Sequence, residues 1–201
     1  MSEILITPGN PNSNVGGKLS HIALDYMTHT LVGTRNSSII EHTLNSLWKS
    51  KSNRFSHEYA FEAKIDTNTV GMVTCYPVSV MNKLAVPTIN KLLKLRKWDL
   101  IKHSILNLGA ALSIVDLKEG RNDEYHIGAI ATLPESRGYG IGSKLIDFAE
   151  NQARLNNYKK CSLTVKKENT KALKLYKNLG YEVVDFIEKE PYHLYRMVKN
   201  I

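Results

Sequence analysis

The sequence predicts an α/β (α+β) fold, a sheet with helices on its faces, and three patterns along its 201 residues carry that prediction. Apolar residues alternate in short runs such as Tyr59, Phe61, Ala63 and Ile65, the period of a half-buried strand. Elsewhere they recur at helical spacing, as in Leu19, Ile22, Ala23, Tyr26 and Met27. The two kinds of run interleave as β-α-α-β-β-(α)-β-α-β-α-β-β, an order that packs helices against one sheet.

Residues 3–6 read as a first strand, and the Pro, Asn, Ser and Gly of 8–17 as a loop. A first helix is expected over 18–32, stopped by Gly33. Asn36 or Ser37 can cap a second helix through Trp48. Residues 59–65 and 70–76 form a hairpin about Asp66-Thr67-Asn68, ended by Pro77. The stretch 78–122 is too long for a bare loop. Its Ile89, Leu92, Leu93, Leu100, Ile101, Ile105 and Leu108 suggest two helices split near 96–99 or Gly109. Their apolar stripe is readily used for internal packing; a lid over a pocket and a surface-membrane helix are the alternatives. Residues 125–132, apolar on both faces, suit a central strand. A helix over 141–156, a strand over 161–165, a helix capped by Asn169 and stopped by Gly180, and strands over 181–187 and 192–198 complete the chain.

The composition is that of an ordinary globular chain, 42% hydrophobic and 23% charged, with no run of 18 apolar residues. No signal-like start is visible, and Cys75 and Cys161 stand apart as two expected core thiols. A cytoplasmic location without disulfides or metal is therefore expected. The net charge of +8 is uneven: seven lysines lie between Tyr158 and Lys177 against Glu168 alone. A nucleic acid partner is not expected, because no recognised motif or aromatic-rich basic surface accompanies the charge.

The chemistry concentrates at Gly138-Tyr139-Gly140-Ile141-Gly142, between a strand and a helix. Glycines let the backbone turn tightly and approach a ligand. The helix start adds unpaired N–H groups and the positive end of its dipole, a site for phosphate. A dinucleotide fingerprint would need glycine where Ser143 stands, and a P-loop would need Gly-Lys-Ser/Thr where Gly142-Ser143-Lys144 stands. Both fail.

Arg137-Gly138-Tyr139-Gly140-Ile141-Gly142 resembles the Arg/Gln-x-x-Gly-x-Gly/Ala signature of the GNAT superfamily of N-acetyltransferases. Ile130-Ala131-Thr132, followed by Pro134, resembles that family's fourth strand. The run from Asn169 through Leu175-Tyr176 to Gly180-Tyr181 resembles its Asn…Leu-Tyr…Gly-Phe segment. The match covers about 124–185. Residues 78–122 look like the helical insertion of a bacterial-type branch between the third and fourth strands. The resemblance implies one domain over 1–201 with a mixed sheet of about six to seven strands.

It also implies acetyl-CoA as co-substrate and an amine acceptor. Residues Arg137, Gly138, Tyr139, Gly140, Ile141, Gly142 and Ser143 would cradle the pyrophosphate. Ile130, Ala131 and Thr132 would pair with the pantetheine arm and polarise the thioester carbonyl, and Asn169 would bind the arm. As a plain helix cap, Asn169 has a second reading. Tyr176 occupies the family's general-acid position, and is equally a tyrosine on an apolar helix face.

For the base, the fifth-strand glutamate of some members is replaced by Thr164, whereas His126 holds the fourth-strand position used by others. Strand alternation puts His126 on the face of Gly128 and Ile130, and an imidazole of pKa about 6.5 can take a proton near neutrality. A structural histidine is the other reading, and Glu124 is the reserve. No nucleophile pattern stands out, so the expectation is direct transfer in a ternary complex. The alternative is a non-catalytic acyl-CoA-binding module. No membrane partner is expected, the acceptor is unidentified, and a homodimer is one of the states the sequence allows.

Overall fold

The computed structural model describes residues 3–201. Seven strands form one sheet in the order β1-β2-β3-β4-β5-β7-β6. They are β1 (Ile4–Pro8), β2 (Ala60–Ile65), β3 (Asn68–Pro77), β4 (Tyr125–Thr132), β5 (Lys160–Lys166), β6 (Glu182–Lys189) and β7 (Tyr192–Asn200). All neighbours are antiparallel except β4 and β5. The helices are α1 (Gly16–Leu24), α2 (Met27–Val32), α3 (Ser37–Lys49), α4 (Val78–Leu106), α5 (Leu108–Val115), α6 (Ile141–Leu155) and α7 (Thr170–Asn178).

One face of the sheet is covered by α6, whose Leu145, Ile146, Ala149 and Ala153 bury against Val73, Cys75, Ile127 and Leu163. On the other, Leu19 of α1 and Trp48 of α3 pack on Met72, Ala129 and Ala131. Both thiols are buried, as the sequence suggested. Glycine makes the α1–α3 contact possible. A Cβ on Gly17 would meet the Glu41 carbonyl at 2.5 Å and the Asn45 amide at 2.7 Å, so the two backbones approach with no side chain between them.

Two expectations change. The single helix over 18–32 is two, because Asp25 takes φ 50 and ends α1 while Tyr26 starts α2. Apolar periodicity does not signal the break: of the expected stripe Leu19 is buried in α1, whereas the buried residues of α2 are Thr28 and Val32. The insertion is likewise more divided than expected, with a kink at Lys97 (φ 48, ψ −129) and a second break at Asn107. Its stripe is only partly internal: Leu92 and Leu100 are buried, whereas Ile89, Leu93, Ile101, Ile105 and Leu108 are exposed.

Gly17→Ala should lower stability by about 1–3 kcal/mol, the cost of overpacking where backbone cannot yield. Gly109→Ala, whose Cβ meets nothing within 4 Å, should leave stability equal or higher. Urea denaturation of the two variants checks the contrast.

Candidate functional site

β4 and β5 share a ladder only from Tyr125–Cys161 to Ile127–Leu163. Beyond that point β4 follows β3 and β5 follows β7. Their facing edges part, and a cleft of about 1320 Å3 opens between them. The edge of β4 over 128–132 has no strand on its cleft side, so its peptide groups can pair with an extended ligand.

The cleft continues into the glycine turn. Gly138 and Gly140 have φ of 88° and 74°. A Cβ at either would meet nothing, so the left-handed backbone, and not crowding, calls for glycine here. Gly140 is the N-cap of α6, with no side-chain cap and no acidic residue in the first turn. Lys144 donates to the Gly140 carbonyl at 3.1 Å, which leaves the N–H groups of Ile141, Gly142 and Ser143 outside the helix ladder. The dipole adds its positive end, and the arrangement fits a pyrophosphate.

Ile130, Ala131, Thr132, Arg137, Gly138, Gly140, Ile141, Gly142, Ser143, Asn169 and Tyr176 line this one cleft, as does Thr164. Tyr139 is exposed and outside the lining. The Asn169 side chain accepts from the Ala172 N–H at 3.1 Å and so caps α7 while facing the cleft; its two readings coexist. Tyr176 is buried, and burial pushes its hydroxyl up to about 12, which keeps it protonated at neutral pH.

His126 is elsewhere. The ladder pairs Thr74 with Ala129 and Cys75 with Ile127, so Gly128 bulges out of register. The bulge reverses the alternation: Ile127 and Ile130 both face α6, and Ala129 and Ala131 face α1. His126 is therefore on the opposite face from Ile130, contrary to simple alternation. It is fully buried, with Nδ1 3.1 Å from the Ser162 hydroxyl. Glu124 is also committed: it pairs with buried Arg196 and accepts from the Arg121 N–H at 2.9 Å.

Three carboxylates line the cleft, the exposed Asp25 and Glu168 and the buried Glu119. Arg54 donates to Glu119 Oε1 at 2.6 Å, and Glu119 Oε2 lies 3.7 Å from His126 Nε2, too far for a hydrogen bond. Burial alone would raise the Glu119 carboxyl, but the Arg54 charge, with His126 beside it, outweighs this and holds it at about 2. Tyr76 sits against the same group: a Cβ on Gly128 would meet its hydroxyl at 2.3 Å, so the bulge glycine makes room for it.

The other end of the cleft is bridged. Lys166 on β5 pairs with Asp25 at 2.5 Å and stands 4.0 Å over the Tyr26 ring. Tyr26 stacks on Tyr192 at 5.9 Å, and the Tyr192 hydroxyl donates to Thr30 Oγ1 at 2.6 Å. The break between α1 and α2 is thus clamped to β5 and β7. Glu119, Asp25, Tyr26 and Lys166 all escape sequence reasoning. They sit in no motif, and only Asp25, an acid interrupting an apolar stripe, leaves a local trace.

A family profile described as "Acetyltransferase (GNAT) family" matches residues 29–181. A search of curated proteins found no match. Among solved structures, an N-acetyltransferase from Staphylococcus aureus Mu50 is 23% identical with a TM-score of 0.75, over 96% of this chain and 99% of that one. A second, described only as an acetyltransferase, has 19% identity and a TM-score of 0.70 over 98% and 99%. A GNAT family acetyltransferase from Elizabethkingia anophelis, solved with acetyl-CoA bound, has 15% identity and a TM-score of 0.55 over 98% of each chain. At these identities the likeness is one of fold.

Glu119→Gln should destabilise the protein by about 3 kcal/mol, the low end for a broken buried pair, because Arg54 keeps 25% of its side chain in water. The depressed Glu119 carboxyl stabilises fully above its ordinary 4.5 and loses that contribution as pH falls toward about 2. The wild type should therefore lose more stability than the variant across that window, as acid-dependent urea midpoints would record.

Proposed function

The chain belongs to the GNAT acetyltransferase family, whose profile spans most of its length, and from that premise we propose that it moves the acetyl group of acetyl-CoA to a primary amine by direct attack. The observation that carries this reading is one continuous surface. The unpaired edge of β4 runs into the uncapped start of α6, and Tyr176 lines the same cleft.

In this reading the pyrophosphate rests on the free N–H groups of 141–143, and the pantetheine arm pairs with 130–132 as an added strand. An N–H of that edge points at the thioester carbonyl, which gains negative charge on attack and is stabilised by a donor already in place. The bound thioester supplies the activated acetyl group. Tyr176, held protonated, donates to the departing sulfur. The acceptor enters beneath the Asp25–Lys166 bridge, past Ile22, Leu24, Met27 and Pro191.

An alkylammonium has a pKa of about 10 and must shed a proton before attack. His126 does not line the cleft and at 3.7 Å makes no hydrogen bond to Glu119, so it acts only by positioning that carboxylate: Glu119, ionised, holds the ammonium by charge, and the amine gives its proton to water before attack. A non-catalytic acyl-CoA-binding module is the second reading, favoured by Thr164 at a base position and by the burial of His126.

Acetyl-CoA should raise the melting temperature saturably, and a panel of amines should elicit CoA release. Thermal stabilisation without release across the panel would support the non-catalytic module. Tyr176→Phe should lower kcat by about 10²-fold or more while leaving acetyl-CoA affinity within a few-fold; equal rates would remove its role. Glu119→Gln and His126→Gln should each lower kcat, and the double variant should lose less than the product of the two. Independent effects would show that His126 does not act through Glu119.

A further inference from the structure

The cleft leaves one conspicuous surface unexplained. After the kink at Lys97, α4 exposes Trp98, Ile101 and Ile105, three residues on one face with Trp98 at 79% exposure. Helix α5 continues with Leu108, Leu112 and Val115 at i, i+4 and i+7, all exposed, and none of its eight residues is buried. An apolar helix that leaves half of its residues exposed, with Ala110, Ala111, Ser113 and Ile114 only partly buried, is anomalous for a globular surface.

The charges around it identify what covers it. Asp99 is paired with Arg96 at 3.2 Å and Asp116 with Lys189 at 2.7 Å, while Glu190, beside α5, has His193 at 3.3 Å. Lys94, Lys97, Lys102 and Lys118 are exposed and, among the described residues, form no ion pair. We propose that this face docks on an anionic lipid bilayer, Trp98 and the apolar residues entering the interface and the free lysines meeting the headgroups. A second copy is a poorer fit, because an isologous contact would set the unpaired lysines of two chains against each other. No helix among the described residues is long and apolar enough to cross a membrane.

The docking helix is tied to the cleft. Ser113 of α5 donates to the Glu190 carbonyl at 2.6 Å, and the next residue, Pro191, lines the acceptor end. Docking would therefore hold that end close to the bilayer.

The sequence contains two tryptophans, and Trp48 is fully buried, so a change of emission on adding vesicles reports Trp98. With phosphatidylcholine vesicles containing phosphatidylglycerol, the emission should shift to the blue and the protein should sediment with the lipid. Pure phosphatidylcholine or high salt should abolish both. Ile105→Glu and Leu112→Glu, both at exposed positions, should eliminate binding without changing Tm. Lys97→Gln and Lys102→Gln should each weaken partitioning about fivefold, from ~1 kcal/mol per lysine. Absent sedimentation with anionic vesicles, or equal sedimentation of the Ile105→Glu and Leu112→Glu variants, would overturn the proposal. So would a concentration-dependent dimer that those two substitutions dissociate, which would assign the face to a second copy.

Discussion

Two parallel strands share a ladder only while their peptide groups stay within reach, and β4 and β5 keep that contact for three residue pairs. Everything at the site follows from where they part. The split exposes the β4 edge that an extended ligand needs and opens space beside Tyr176. It also directs the chain, after Thr132, into the glycine turn and the start of α6. A longer ladder would fill the cleft with sheet.

The rest of the fold holds the split open. Antiparallel neighbours fix each strand from its far side, β3 beside β4 and β7 beside β5. Helix α6 packs across strands on both sides of the gap, through Ile127 and Leu163. The far end of the gap is bridged by Asp25 and Lys166, and the stack of Tyr26 on Tyr192 anchors that bridge to β7. Lys166 is mostly buried there, so the pair is worth more than a surface bridge, although the exposed Asp25 limits the gain.

The bulge at Gly128 has the widest local consequence. One extra residue reverses which side chains of β4 face α6, and it moves His126 from the face of Ile130 into a buried cluster. There His126 lies near Glu119, which itself pairs with Arg54 and reaches the cleft. This buried cluster is thus assembled from the turn before β2, the loop before β4 and β4 itself. No spacing along the chain relates Arg54, Glu119 and His126.

The sequence by itself determined the strands, most helices, the glycine turn and the helix capped by Asn169, because these depend on neighbours a few residues apart. Periodicity, capping and the backbone freedom of glycine are local physics. Only the tertiary structure decided that α1 ends at Asp25, that Gly128 bulges, that Glu119 is a buried carboxylate lining the cleft, and that the stripe of 98–115 stays exposed. Each of those depends on which distant surface meets the residue. An apolar stripe reads the same in sequence whether the fold covers it or leaves it bare, and an ion pair between β5 and the α1–α2 break exists only once the sheet has set its members side by side.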